Sequence, residues 1–297
     1  MKTLVLGGGG NKGCFEAGVL CEIFNHIKFD NLYGTSVGSL NCLFLGQAYL
    51  ENNPSILECL WTKIIQSDKQ VYNKNILKLL VGHPPCNFKP LQKILENNID
   101  FKKIIKMEQE IKINTVDLKS SKTYTISNHD KNITPERLIQ AAIASSSAPP
   151  LFPPVEMDGK LLVDGGIREN IPSANVFNNK NINDTILMIV CSPENMANSD
   201  ENFNNIVEIS LRTLDIMTDE INKNDIYLIE KINNLKKEAK KTIGDNKFKK
   251  EYINVDIIMP DYTISEKMLD FNPDILKSGF THGRLKAKDF LNCLNIN

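Results

Sequence analysis

The chain has 297 residues, 41% of them hydrophobic and 24% charged, with a net charge of −1. That content can bury one large core, so a single domain over 1–297 suffices, and the near-zero charge gives no electrostatic case for a nucleic-acid partner. The seven cysteines (Cys14, Cys21, Cys42, Cys59, Cys86, Cys191 and Cys293) form no C-x-x-C pair and leave one over, which argues against a disulfide framework and for reduced thiols in the cytoplasm.

In chain order, Leu4-Val5-Leu6 reads as a first buried strand running straight into Gly7-Gly8-Gly9-Gly10-Asn11-Lys12-Gly13. Phe15, Val19, Leu20, Ile23, Phe24 and Ile27 follow at helical spacing, with Cys14 and Cys21 expected on one buried face. Phe29, Leu32 and Tyr33 lead a second strand into Gly34-Thr35-Ser36-Val37-Gly38, and Leu40, Leu43, Phe44 and Ala48 continue as a helix. Residues from Pro54 to Met107 read as a helical segment broken near Gly82-His83-Pro84-Pro85. A hairpin is expected from Ile111–Asp117 and Lys122–Ile126, and a helix from Thr134-Pro135, the first as cap and the second in the first turn. The strand Leu161-Leu162-Val163 ends in Asp164-Gly165-Gly166; later strands are expected at Ile186–Val190 and Ile253–Met259. Alternating elements of this kind predict an α/β fold with a mostly parallel sheet covered by helices. No run approaches the roughly 18 apolar residues of a membrane span, and Leu4-Val5-Leu6 is too short for a secretion leader.

Chemistry concentrates at three of these turns. G-x-S-x-G between strand and helix lifts a serine clear of the backbone, with Gly34 and Gly38 removing side chains that would collide there. The glycine run leaves main-chain N–H groups facing outward, as an oxyanion requires. Gly8, Gly10 and Gly13 also satisfy G-x-G-x-x-G, so a nucleotide-binding α/β module is the alternative, with Asp30 as its only acid for a ribose. A P-loop is excluded because Lys12 precedes Gly13 and Cys14 follows it. If the strands run parallel, Asp164 emerges at the same sheet edge as the other two loops. Of the four histidines, His26, His83 and His129 read as surface residues; His282 keeps the order serine, acid, histidine and rivals Asp164 as the base.

Taken together, these residues resemble the patatin-like phospholipases, a family of serine lipid acyl hydrolases. Gly8–Gly13 resembles the family's G-G-G-x-K/R-G segment, Gly34–Gly38 its nucleophile motif and Asp164-Gly165-Gly166 its D-G-G/A motif. The stretches 144–155 and Asn170-Ile171-Pro172 agree with it, the likeness covers most of 1–191, and it weakly resumes at Leu269-Asp270-Phe271. The resemblance implies a three-layer α/β/α fold and a dyad of Ser36 and Asp164. It implies an oxyanion hole from Gly8, Gly9, Gly10, Asn11, Lys12 and Gly13, a nucleophile elbow at Gly34 and Gly38, and an acid motif at Gly165 and Gly166. Neither metal nor cofactor is needed. Lys12 would steady the loop or draw anionic head groups. The implied substrate is a phospholipid or lysophospholipid, met by peripheral contact with a membrane. Some patatin-like proteins work only with a protein activator, and no residue here decides that.

Residues 192–250 form a variable helical region outside the likeness, and 251–297 a closing strand and helix. From Ile206 to Lys250, apolar positions pass into Lys236, Lys237, Lys240, Lys241, Lys247, Lys249 and Lys250. Two readings stand: a packing helix with a solvated charged end, or a lid that docks on a membrane.

Overall fold

The computed structural model describes residues 1–66, 71–75, 77–80, 82–172, 185–195, 204–243 and 254–295. Its elements are β1 (Lys2–Leu6), α1 (Gly13–Ile23), β2 (Asn31–Thr35), α2 (Val37–Glu51), α3 (Ser55–Gln66), β3 (Asn73–Lys74), α4 (Leu77–Leu80), β4 (Cys86–Asn87), α5 (Lys89–Asn98) and α6 (Phe101–Ile104). They continue with β5 (Glu110–Asp117), β6 (Thr123–Ser127), α7 (Pro135–Ser145), β7 (Val155–Met157), β8 (Lys160–Asp164), β9 (Thr185–Ile189), α8 (Ile206–Ile243), β10 (Asn254–Ile258) and α9 (Pro273–Cys293).

Strands β10, β9, β1, β2 and β5 lie side by side in that order and all run parallel. Near-continuous apolar strands such as Leu4-Val5-Leu6 can sit there because both faces are covered. Alternation splits the side chains between two cores. Leu4 and Leu6 point into the larger one, with residues of α1, α2, α3, α7 and α9. Val5 points the other way, with Tyr33, Ile186, Met188 and Ile229 of α8. The result is a three-layer α/β/α arrangement around a mostly parallel sheet, as expected.

The position of Asp164 is reached differently from the expectation of parallel strands. β8 runs antiparallel to β5, and so does β6. Thr115 and Val116 of β5 pair with both, and a strand has only two edges, so β8 must take the edge opposite β6. Farther back, β2 occupies that same edge, since Lys112, Ile113 and Asn114 pair with both β2 and β6. Thus β2 and β8 lie end to end along one side of β5 with their carboxyl ends facing. Thr35 is opposite Asn114 and Asp164 is opposite the next residue, Thr115.

Local chemistry explains most element boundaries. Thr134 caps α7 by accepting a hydrogen bond from the Arg137 N–H, and Asn272 caps α9 by accepting from Asp274 and Ile275, each cap followed by proline. The described residues of 54–107 are largely helical, and a two-stranded ribbon of β3 and β4 brackets α4 and the expected break at 82–85. A further hairpin, β7 to β8, turns on Asp158 and Gly159, whose φ values of 54° and 72° suit the two-residue turn that Asp-Gly favours. All seven cysteines are free, Cys14 buried and Cys21 half-buried on α1. α8 reaches Ile243; Lys247, Lys249, Lys250 and Ile253 lie outside the described residues. Among the described residues no helix is long and apolar enough to cross a membrane.

Candidate active site

Ser36 stands between β2 and α2 at φ 54° and ψ −127°, a conformation that costs a non-glycine residue roughly 1–3 kcal/mol. Packing holds it there. A Cβ on Gly38 would come within 2.5 Å of the Leu6 carbonyl, and one on Gly34 within 2.5 Å of the Gly38 carbonyl, so β1, β2 and α2 can approach this closely only through bare glycines. The strained backbone is also wired. The Ser36 N–H donates to Ser145 Oγ at 2.8 Å, and Ser145 Oγ donates to the Asn114 carbonyl at 2.7 Å. The N–H and hydroxyl of Ser39 both donate to the Ser36 carbonyl.

Asp164 ends β8 almost fully buried, with its N–H donating to the Ser147 carbonyl and its Oδ1 accepting from the Gly166 N–H at 2.8 Å. Its carboxyl lies within hydrogen-bonding reach of the Ser36 side chain. Burial pushes its pKa from 3.8 to about 6, while the bonds from Ser36 and Gly166 hold it down. The end of α7 therefore serves both residues, Ser145 under Ser36 and Ser147 under Asp164. The sequence reading found this stretch only as family likeness; a run of serines at a helix end, able to satisfy stray backbone groups, was the usable signal.

The glycine run forms a loop and one turn of 3-10 helix over Gly10–Lys12, entered through Gly10 at φ +59° against the backbone of Met268. Its amides are not all bare. The Gly8 N–H donates to Asn170 Oδ1 while Asn170 Nδ2 donates back to the Gly8 carbonyl, each at 3.1 Å. The Asn11 N–H donates to the Met268 carbonyl, the Lys12 N–H to Gly9, and the Gly13 N–H to carbonyls of the preceding turn. Only the N–H groups of Gly9 and Gly10 have no hydrogen-bond partner among the described residues. Asn170, which clasps the loop and also reaches Asn222 of α8, is a site residue the sequence reading named only within a flanking stretch.

The side chains of Asn11 and Lys12 point away from solvent. Asn11 Nδ2 ties the loop to Ser265, Lys267 and Asp270. Lys12 is 2% exposed, its Nζ 2.5 Å from Asp215 Oδ1 of α8. A lysine so enclosed does not meet head groups; of its two expected roles, steadying the loop is the one its surroundings permit. Removing Asp215 from such a buried pair typically costs about 3–5 kcal/mol because the lysine is left charged and dry, so the pair fixes which turn of α8 meets the loop more than it adds to stability. Leu214 and Thr218 of α8 line the hollow that holds Gly9, Ser36 and Asp164. An adjoining apolar hollow begins at Ser36 and Asp164 and is walled by Leu40, Trp61, Leu151, Phe152, Leu211 and Phe271. The long helix packs, and it packs over the site.

Two rival residues, Asp30 and His282, lie away from Ser36. Asp30 immediately precedes β2 and accepts from the Lys2 N–H, which puts it at the amino edge of the sheet, opposite the glycine loop. A ribose-binding acid belongs at the carboxyl end of that strand, where Ser36 stands instead. His282 lies on α9 with its ring beside Phe15 and Tyr262 and its Nε2 accepting from the Asp261 N–H at 3.1 Å. It lines neither hollow that contains Ser36. His26, His83 and His129 are exposed.

Comparison with known proteins bears on the same segments. Residues 4–176, more than half of the chain, match the model of the family described as Patatin-like phospholipase. No curated protein matches. Among solved structures, the crystal structure of VipD from Legionella pneumophila matches over 98% of this chain and 67% of that one, with 13% identity and a TM-score of 0.49. The family match starts in β1 and runs past Asn170, through the glycine loop, Ser36, Ser145 and Asp164, and the chain belongs to the patatin-like phospholipases, a family of lipid acyl hydrolases.

Proposed function

We propose that this chain hydrolyses fatty-acyl esters of glycerophospholipids or lysophospholipids with Ser36 as nucleophile and Asp164 as its base. The observation that carries the reading is the contact between the Ser36 hydroxyl and a buried carboxyl whose pKa is lifted to about 6, beside an apolar hollow. An ordinary aspartate is too weak a base for a serine hydroxyl; desolvation strengthens this one while leaving it ionised near neutrality.

Asp164 takes the Ser36 proton as Oγ attacks the ester carbonyl. The oxyanion of the tetrahedral intermediate accepts from the N–H groups of Gly9 and Gly10, and losing one such donor costs ~3 kcal/mol of transition-state stabilisation. Collapse breaks the acyl–oxygen bond, and the proton on Asp164 passes to the departing alcohol. Water then enters, gives a proton to Asp164, and attacks the acyl-enzyme; the fatty acid leaves and Ser36 recovers its proton. The acyl chain lies in the hollow walled by Leu40, Trp61 and Phe152. Asn170, Asn11 and Lys12 act on the loop's shape.

A substrate of this class is held in a membrane, so peripheral membrane contact belongs to the proposal, as does residence in the cytoplasm, which seven unpaired thiols support. A fluorophosphonate probe is expected to label the native chain and not Ser36→Ala, and lipidomic comparison of the two on mixed phospholipids should reveal the released acyl chains. Activity should vanish in Asp164→Asn and persist in His282→Ala; the opposite pattern overturns the dyad.

A further inference from the structure

Trp61 of α3 is the chain's single tryptophan and is almost fully buried. It lines the apolar hollow that begins at Ser36, and it also lines a second cavity of about 480 Å³ between α3 and α9, over Cys14 of α1. Trp61 is the residue these two cavities share. The hollow at Ser36 is far smaller, about 50 Å³. A single water needs roughly 10–15 Å³ on this scale, so the hollow takes only about four groups of that size. Its direction follows α2. Ser36, Val37 and Leu40 line it in succession, and the next residue, Asn41, accepts at Oδ1 from the Trp61 Nε1–H at 2.9 Å. At 1.5 Å per residue Asn41 stands about 7 Å along the helix from Ser36.

We propose that Trp61 is the end wall of the acyl hollow and sets the length of acyl chain accepted at Ser36, by closing the way from the hollow into the larger cavity behind it. The inference deepens the proposed function and rests on it for the reaction. Each methylene that fits between Ser36 and the indole leaves water; each one beyond that number must stay outside or displace the ring. Short acyl chains are therefore the preferred substrates.

Displacement of the ring is opposed from behind. Asn41 is fully buried, and its Nδ2 donates to the Gly13 carbonyl at 2.9 Å and to Glu16 Oε2 at 2.8 Å. These bonds aim Oδ1 at the indole, and moving the ring away leaves that buried oxygen unpaired. Trp61 is thus a fixed stop and not a swinging gate. Beyond it, the buried side chains of Cys14, Leu276 and Phe280 give the second cavity an apolar surface that an acyl tail can enter once the indole is removed.

The test compares kcat/KM on p-nitrophenyl hexanoate and p-nitrophenyl tetradecanoate. The native chain should favour the hexanoate. In Trp61→Ala the ratio of long to short should rise about tenfold or more, and in Trp61→Leu, which keeps more of the space filled, by a smaller factor in the same direction. An unchanged ratio in variants that keep a cooperative melting transition overturns the proposal. Because the chain has no other tryptophan, a second measurement leaves Trp61 in place. With ω-bromohexyl fluorophosphonate anchored on Ser36, the bromine should quench Trp61 emission strongly. The ω-bromotetradecyl reagent, whose tip cannot stay inside the hollow, should quench it several-fold less. Equal quenching by the two, or none by the shorter, overturns the proposal even if neither Trp61 variant folds. Hydrolysis of neither ester together with no labelling of Ser36 sinks the hydrolase reading, and this inference with it; hydrolysis with an unchanged ratio sinks this inference alone.

Discussion

Ser36 and Asp164 both sit in states the folded protein makes costly. The serine is held at positive φ, and the aspartate is dried until its pKa reaches about 6. The second cost has a definite pH signature. Because the folded pKa lies above the unfolded value of 3.8, the protonated carboxyl is favoured in the fold; its contribution is present below pH 3.8 and lost as pH rises through about 6. Above that, the ionised group is a burden of roughly 3 kcal/mol. Asp164→Asn should therefore melt higher than the native chain at pH 8, with the gap closing toward pH 4, and calorimetry across that range checks it. The same titration governs catalysis with the opposite sign, since only the carboxylate can take a proton. kcat/KM should rise through about pH 6 and level off above, and a profile flat through that region would remove Asp164 as the base.

At the scale of elements, α8 is joined to the glycine loop by a charge pair taken out of water. Desolvation makes such pairs poor net stabilisers but strong determinants of which partner is tolerated. Asp215→Leu alone should destabilise by about 3–5 kcal/mol because it strands the buried lysine, Lys12→Met by less because Arg212 Nη1 still lies 3.5 Å from Asp215, and the double change should lose less than Asp215→Leu. A denaturant double-mutant cycle measures this. If the double change costs as much as the two single changes added together, the pair is not coupled. The end of α7 is a second shared support: Ser145→Ala removes the acceptor of the Ser36 N–H, and esterase activity should fall with little change in the melting temperature, since one hydrogen bond nets only about 1 kcal/mol.

For the whole molecule, the family match stops at residue 176, yet the packing does not. α9 buries Leu276, Phe280 and Leu291 in the core that includes Phe15 and Leu20 of α1, and β10 completes one side of the sheet beyond β9. We take the chain as one cooperative domain. Ending it at residue 260 strips α1 of this cover, and the product should lack a cooperative thermal transition and yield to proteolysis throughout. A sharp native-like melt of that shortened chain would refute the single-domain assignment.

Sequence alone determined what depends on neighbouring residues. The two strand-to-loop glycine turns, the cap at Thr134, the hairpin β5–β6 and the parallel α/β class are all written in local patterns, since backbone sterics and hydrophobic periodicity act over a few residues. Asp-Gly at 158–159 carried the β7–β8 turn in the same way, although the reading passed over it. Tertiary structure alone decided the rest. That β8 opposes β5 and meets β2 end to end is a matter of register between strands about 50 and about 130 positions apart, which no local pattern encodes. Which loop amides stay free depended on Asn170 and Met268 arriving from elsewhere to occupy the others. The fate of Lys12 depended on Asp215 in a region with no motif of its own. Long-range partners carry no periodic trace in a chain, because what selects them is the free energy of burying a charge or an N–H, and that arises only once the surfaces meet.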